Sequence, residues 1–348
     1  MLKFILITLT CYSWTCTFIV ESAVNHEISN TEIVLEENFS FDQSQAVLGN
    51  VKASVVVKNH SIFLLDENQS KIHEYDFNGR LIRSFGGEGN GPGEFESAQS
   101  MTFDESENQL LVLDFRNSRI VAFDVNSGNH AGTILLKDTY VTMLNEIFTF
   151  QDKIVLLGVH EDSDDFIHII TMDGLTEKSF GSFIDFKNMV YTPMGKTQLG
   201  QLHASRLDNW FMVILAAPNR AMIYDQNFEP ISSFEDNSMP TPWETHMTMR
   251  SDEYRVEFYD TSSNNLMLNR EDYLLHWVDI NVDDENSEIS TTHCVDLRKI
   301  HTAELENRKC LDDQLSIIGM SRMSSNEALL IVRDGLFDYK MLDLKINE

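Results

Sequence analysis

Basic residues are scarce in this chain, which sets 26 Lys and Arg against 55 Asp and Glu for a formal net charge of −29. A surface of that sign repels phosphates, and no concentrated basic patch offsets it; the densest runs are Arg298-Lys299 and Arg308-Lys309. This argues against a nucleic-acid partner and leaves the acidity a solubility role, with attraction of cations or basic ligands as the alternative. With 6 Pro and 16 Gly the chain is neither collagenous nor low-complexity, and its 22 Phe argue against disorder. Long helical periodicity is almost missing. Beyond the N-terminus no apolar run is long enough to cross a bilayer. Cysteine is sparse as well: of four, Cys11 and Cys16 lie in the N-terminal apolar run.

That run is itself informative. Met1-Leu2-Lys3, an apolar stretch from Phe4 to Val20, and Val20-Glu21-Ser22-Ala23 have the order of a secretory signal peptide covering 1–23. The mature chain is then 24–348, one domain, and the protein is periplasmic, cell-surface or secreted. A membrane anchor is the competing reading. Lipidation at Cys11 or Cys16 is another, although Thr8-Leu9-Thr10 and Ser13-Trp14-Thr15 match poorly the small-residue box such a site needs. In an oxidising compartment the two remaining cysteines, Cys294 and Cys310, are expected to form a disulfide.

What the sequence has in abundance is short strands. Val55-Val56-Val57, Ile62 to Leu65, Ile72 to Tyr75 and Leu81 to Phe85 are four strand-length runs within about thirty residues, separated by Asn, Asp and Gly. Leu64 to Asp76 superposes without a gap on Val112 to Asp124. An apolar residue followed by Asp recurs at Tyr75-Asp76, Phe123-Asp124, Met172-Asp173, Tyr224-Asp225, Val278-Asp279 and Leu342-Asp343. These pairs mark six units of roughly fifty residues, each Asp closing a third strand by accepting from N–H groups just ahead. In this register Lys71, Arg119 and Arg220 precede their aspartates by five residues, with His168 and Leu274 in the same place in units three and five. A lone four-stranded sheet is marginal, whereas sheets stacked radially bury both faces. The expected fold is therefore all-β: a six-bladed β-propeller of four-stranded antiparallel blades, its ring closed by an N-terminal strand within Thr31 to Phe41. Ile300 to Lys309 is expected to form a short helix in an insertion.

The segment Ser84 to Phe95, SFGGEGNGPGEF, followed by Leu113-Asp114, Asn117 and Arg119-Ile120, resembles the inter-blade linker of NHL-repeat propellers. The whole is similar to exported six-bladed propellers of bacteria related to Bacteroides. The motif itself covers residues 60 to 125; later units match by pattern. The glycine run lacks the Lys-Ser/Thr of a phosphate loop and opens no helix, so it reads as a tight connection between blades.

No Gly-x-Ser-x-Gly elbow and no His-Glu-x-x-His pair is present. Among proteins with similar folds, calcium-dependent lactonases hold a metal in the tunnel with Glu, Asn and Asp. The densest acidic cluster here, Glu161 to Asp165 with Asp162, Asp164 and Asp165, is the candidate metal set, with Asp283-Asp284-Glu285 second. Neither has EF-hand spacing, and both fit solvated turns. Irregular loops at Asn188 to Gly195 and Pro240 to Arg250 offer Tyr191, Trp243, His246 and Arg250 as ligand contacts, since large amphipathic side chains supply contact area. The expectation is a non-enzymatic binding or scaffolding propeller recognising a protein, peptide or glycan at one face, without a cofactor. The alternative is a calcium-dependent lactonase or esterase with Ca2+ in the tunnel.

Overall fold

The computed structural model describes residues 31–57, 61–137, 141–160, 165–182, 202–215, 220–235, 262–283, 288–312 and 314–347. The signal-peptide expectation falls outside these residues. Strand β1 is Glu32–Ser40. The first blade is β2 (Val51–Val57), β3 (Ser61–Asp66), β4 (Lys71–Tyr75) and β5 (Leu81–Gly86), and the second is β6 (Ala98–Asp104), β7 (Gln109–Asp114), β8 (Arg119–Asp124) and β9 (His130–Leu135). Blade 3 comprises β10 (Val141–Phe150), β11 (Lys153–His160), β12 (Asp165–Ile170) and β13 (Thr176–Ser182). Blade 4 comprises β14 (Leu202–Leu207), β15 (Trp210–Leu215), β16 (Arg220–Tyr224) and β17 (Pro230–Glu235). The fifth has β18 (Ser262–Met267), β19 (Asp272–Asp283), β20 (Glu288–Lys299) and β21 (Leu305–Cys310). Blade 6 takes β22 (Leu315–Arg322), β23 (Glu327–Asp334) and β24 (Asp338–Asn347) from the C-terminal end, and β1 pairs antiparallel with β24 as its outer strand.

The chain is thus all-β, six antiparallel four-stranded sheets in a ring. Successive inner strands β2, β6, β10, β14, β18 and β22 touch one another, and β22 returns to β2. Every residue of β3 is buried because Ile62 and Leu64 face blade 6 while Phe63 and Leu65 face blade 2. The same two-sided burial gives six apolar clusters, one between each pair of neighbours around the ring. At the seam, Tyr339 donates its hydroxyl to Gly49 O at 2.8 Å, joining blade 6 to the approach to blade 1.

The turns behave as their chemistry demands in three units. Asp76 accepts from Asn78 N and Arg80 N, both at 2.9 Å, and Asp225 repeats this with Asn227 N and Glu229 N at 2.8 and 3.0 Å. Asp124 accepts from Ser127 Oγ at 2.6 Å and from Ser127 N at 2.8 Å. These bonds hold all three carboxyls below the usual aspartate value. Gly79 has φ +76°, and a Cβ there would meet Phe39 and Ser40 O at 2.5 Å, so this turn lies directly on β1.

Elsewhere the repeat register needs correction. In unit three the bulge between Ile169 and Ile170 matches that between Glu74 and Tyr75, so Ile170 corresponds to Tyr75 and Thr171, not Asp173, to Asp76. His168 therefore corresponds to His73 rather than to Lys71 or Arg119. Asp279 and Asp343 close no turn: they pair with Thr292 within β19–β20 and with Leu329 and Glu36 within blade 6. Leu274 lies in the second strand of its blade, so it does not hold the cationic position either. No helix forms at Ile300 to Lys309, where Lys299 to Glu304 turns into β21. For the aspartates, His168 and Leu274 the local pattern fitted a strand or turn and hydrogen-bond register decided which, whereas the expected helix is replaced by strand pairing of β21 with β20.

Candidate functional site

The six inner strands enclose a channel with a cavity of about 1110 Å³. Pairing with the second strands sets the height of each inner residue. One level holds Ala53, Ser100, Glu146, His203, Asn264 and Gly319, because each stands opposite the corresponding residue of its second strand. Four of these follow bulges that twist the strand as it enters the channel, and Asn264 follows a fifth. Three residues on, about 10 Å at strand rise, a second level carries Arg206 and Arg322.

Polar side chains at the first level and within two residues of it stitch neighbouring blades. Glu146 Oε2 accepts from Ala204 N at 3.1 Å and lies 3.7 Å from His203 Nδ1. Ser100 Oγ accepts from Ile147 N at 3.2 Å, and Ser205 Oγ from Met267 N at 2.7 Å. Asn265 donates to His203 O at 2.9 Å, yet its Oδ1 is buried without a hydrogen-bond partner while the residue lines the channel. At the second level Arg206 donates to Thr149 O at 2.6 Å, to Thr149 Oγ1, and to Phe103 O at 3.1 Å. Burial pulls its guanidinium below the usual value, while Glu105 and then Asp104 push it back up. Arg322 reaches Leu268 O at 3.0 Å.

Behind this wall, in blade 5, His276 Nε2 meets His293 Nδ1 at 2.8 Å with the rings stacked. Burial lowers both histidines, His276 farthest, with His293 and then His203 adding to the effect. On the opposite face of the same strands, buried Asp296 receives Trp277 Nε1 at 3.1 Å, Arg298 at 2.7 Å and Arg308 at 2.6 Å. Cys294 and Cys310, which stand opposite each other in β20 and β21, form the expected disulfide.

The motif residues of the second unit are clamps. Arg119 Nε meets Asp114 Oδ2 at 3.0 Å, and its remaining nitrogens reach Asn90 O, Gly89 O and Glu94 O at 2.9, 3.2 and 2.8 Å. The other oxygen of Asp114 takes Glu96 N and Ser97 N. The glycine-rich linker is therefore pinned to blade 2, which is its structural reading made concrete.

Of the sequence-predicted site residues, Tyr191, Trp243, His246, Arg250, Asp162 and Asp164 lie outside the described residues. Asp165 is half-buried at the start of β12, paired in register with Ser182. Among the described residues no group of three or more His, Cys, Asp or Glu could hold a metal ion. Sequence reasoning missed Glu146, His203, Asn265 and Arg206. They sit in first strands of units three to five, where the motif fades, and which height each takes in the channel depends on strand register, with bulges before Glu146 and before Asn264 that are invisible in the sequence.

A family model described as "6-bladed beta-propeller" (DUF5128) matches residues 43–194. The architecture and this match define the chain as a six-bladed β-propeller. No curated protein matches it. A protein of Bacteroides fragilis NCTC 9343, named as a candidate exported protein, is similar in structure at 12% identity and a TM-score of 0.58, over 92% of this chain and 97% of its own. A member of the duf4221 family from Bacteroides vulgatus ATCC 8482 is similar at 8% identity and 0.59, over 92% and 100%. At such identities the likeness concerns the fold. No helix among the described residues is long and apolar enough to cross a membrane.

Proposed function

We propose that this protein is an exported binding propeller that takes a polar ligand, a glycan or peptide group, at its central channel. The observation carrying the reading is Asn265 Oδ1, an acceptor buried at the channel wall and lacking a protein donor. A buried acceptor left unmade is costly, so a ligand or water donor belongs there. Ser54, Ser100 and Glu146 line the same cavity and offer further donors and an acceptor. Export follows from the N-terminal segment, removed at about residue 23 on this reading, and agrees with the name of the fragilis neighbour. Two finer readings belong to the same proposal: β1 closes the ring by completing blade 6, and the clamped linker is of NHL type.

The test is a glycan and peptide array probed with the mature chain, followed by calorimetric titration of whatever binds. Substituting Asn265→Leu should weaken binding by about tenfold, the size of one lost buried hydrogen bond, and lower the unfolding midpoint modestly because the bond to His203 O is lost as well. Equal affinity in wild type and variant would remove the ligand from the channel.

A further inference from the structure

The outer part of blade 1 holds a second cavity, of about 670 Å³, lined by Ser84, His73, Lys71, Gln69, Val47 and Ile82 among others. Ser84 is exposed on β5, the outer strand of its sheet. Its Oγ lies 2.8 Å from His73 Nδ1. The His73 side chain is fully buried, and its Nε2 points toward Asp66 Oδ2 at 3.8 Å with no hydrogen-bond partner. Asp66 is also fully buried and is held in place by Gly49 N at 2.6 Å, Gln69 N at 3.3 Å and Gln69 Nε2 at 3.0 Å. Serine, histidine and carboxylate thus stand in line, the serine facing solvent.

We propose that Ser84, His73 and Asp66 form a nucleophilic serine site that accepts short-chain acyl esters, separate from the channel. Asp66 decides the tautomer: a carboxylate facing Nε2 favours the proton there, which leaves Nδ1 free to take the proton of Ser84. A small ring rotation closes the 3.8 Å gap once His73 becomes imidazolium. Burial holds His73 below its usual value, with the Asp66 charge opposing that shift, so it is neutral and able to act as a base at pH 7. Lys71 forms no ion pair among the described residues, so it places an unneutralised cation at the same cavity for a developing oxyanion. Val47 and Ile82, large and exposed, give the acyl chain an apolar wall.

The other blades supply internal comparisons. In blade 3 the same pair recurs, His168 Nδ1 to Ser179 Oγ at 2.8 Å, but the residue matching Asp66 is Gly158, whose carbonyl takes Nε2 at 3.1 Å. Blade 2 keeps the acid as Asp114 but has Val121 and Thr133 opposite each other at the positions of His73 and Ser84. The histidine–serine pair is thus a reusable element of the sheet, and among these three blades the first unites it with a carboxylate and a cavity.

In the reaction, Ser84 Oγ attacks the ester carbonyl as its proton passes to His73 Nδ1. The carbon–alkoxide bond then breaks, and the alcohol leaves with that proton, giving an acyl-Ser84 ester. Water, deprotonated by His73, attacks the acyl carbon, and the carboxylic acid leaves as Ser84 regains its hydrogen. No oxidant or cofactor is required. Asp66 acts through His73 and is a positioning residue.

The experiment is reaction of the full chain with a biotinylated fluorophosphonate, with the adduct located by peptide mass spectrometry, alongside the burst from p-nitrophenyl butyrate. A stoichiometric adduct at Ser84, absent at Ser179 and abolished together with the burst in Ser84→Ala, is the expected result. Asp66→Asn should slow labelling by about a hundredfold, within the range of a general base, and move the pH inflection of labelling downward. No adduct at Ser84, equal adducts at Ser84 and Ser179, or a burst surviving in Ser84→Ala would each overturn the proposal. So would an Asp66→Asn protein that differs in thermal midpoint but keeps the wild-type inflection. None of these outcomes bears on Asn265 and the channel.

Discussion

Arg119 shows how one side chain turns a sequence motif into tertiary structure. It is nearly buried, its charge is met by fully buried Asp114, and its nitrogens hold three carbonyls of the linker. Removing one member of such a pair strands the other. Arg119→Ala is expected to destabilise the fold by about 3 kcal/mol or more, read from the urea midpoint at unchanged slope. Arg119→Lys should fall between, because an ammonium keeps the charge but cannot fork to carboxylate and carbonyls together.

Histidines give the same scale its pH dependence. Burial holds His73, His276 and His293 below 6.5, and the His276–His293 contact leaves no room for two protons. The unfolded chain therefore takes up these protons first as pH falls. A depressed histidine contributes stability that is present above 6.5 and lost below it. Stability to urea should decline from pH 7 to pH 5, before the turn aspartates, themselves depressed below 3.8, begin to lose their contribution. NMR titration should show the His276 ring titrating below the usual histidine value of 6.5, and a ring that titrates at or above it would refute the assignment.

At the scale of elements, β1 is the strand with the largest consequence. It runs the length of β24, placing Ile33 in the cluster between blades 5 and 6, and the chain just beyond it places Phe41 in the cluster between blades 6 and 1. Without it β24 becomes an open edge, a template for association with other chains. A chain shortened to begin at residue 42 should elute as aggregate in size-exclusion chromatography and lose a single cooperative thermal transition. A monomer with the full-length midpoint would deny β1 its closing role. The β19–β20 hairpin is the opposite case, where Asp279, which looked like a turn marker, lies inside a twelve-residue strand. An aspartate closes a turn only where the register puts N–H groups ahead of it.

For the molecule as a whole, six similar sheets share their apolar faces in a cycle, so each blade depends on two neighbours. The composition already carried this: strand-length runs apolar on both faces, aspartates at the turns, cysteines placed for one bridge. The first two units were legible almost residue by residue because their motif is local. Unit four was legible as far as Arg220 and the Asp225 turn, whereas units three, five and six were legible only as strands and their register emerged from pairing. The channel residues and the Ser84–His73–Asp66 line were not legible at all.

By itself the sequence determined an all-β chain of six repeated units, acidic, with a disulfide between Cys294 and Cys310, because periodicity, charge and cysteine count are properties of the chain read in order. Only the tertiary structure decided which aspartates cap turns, which polar residues share one level of the channel, and that Ser84 meets His73. Those facts depend on hydrogen-bond register, and a slip of one residue would turn each of these side chains to the other face of its sheet.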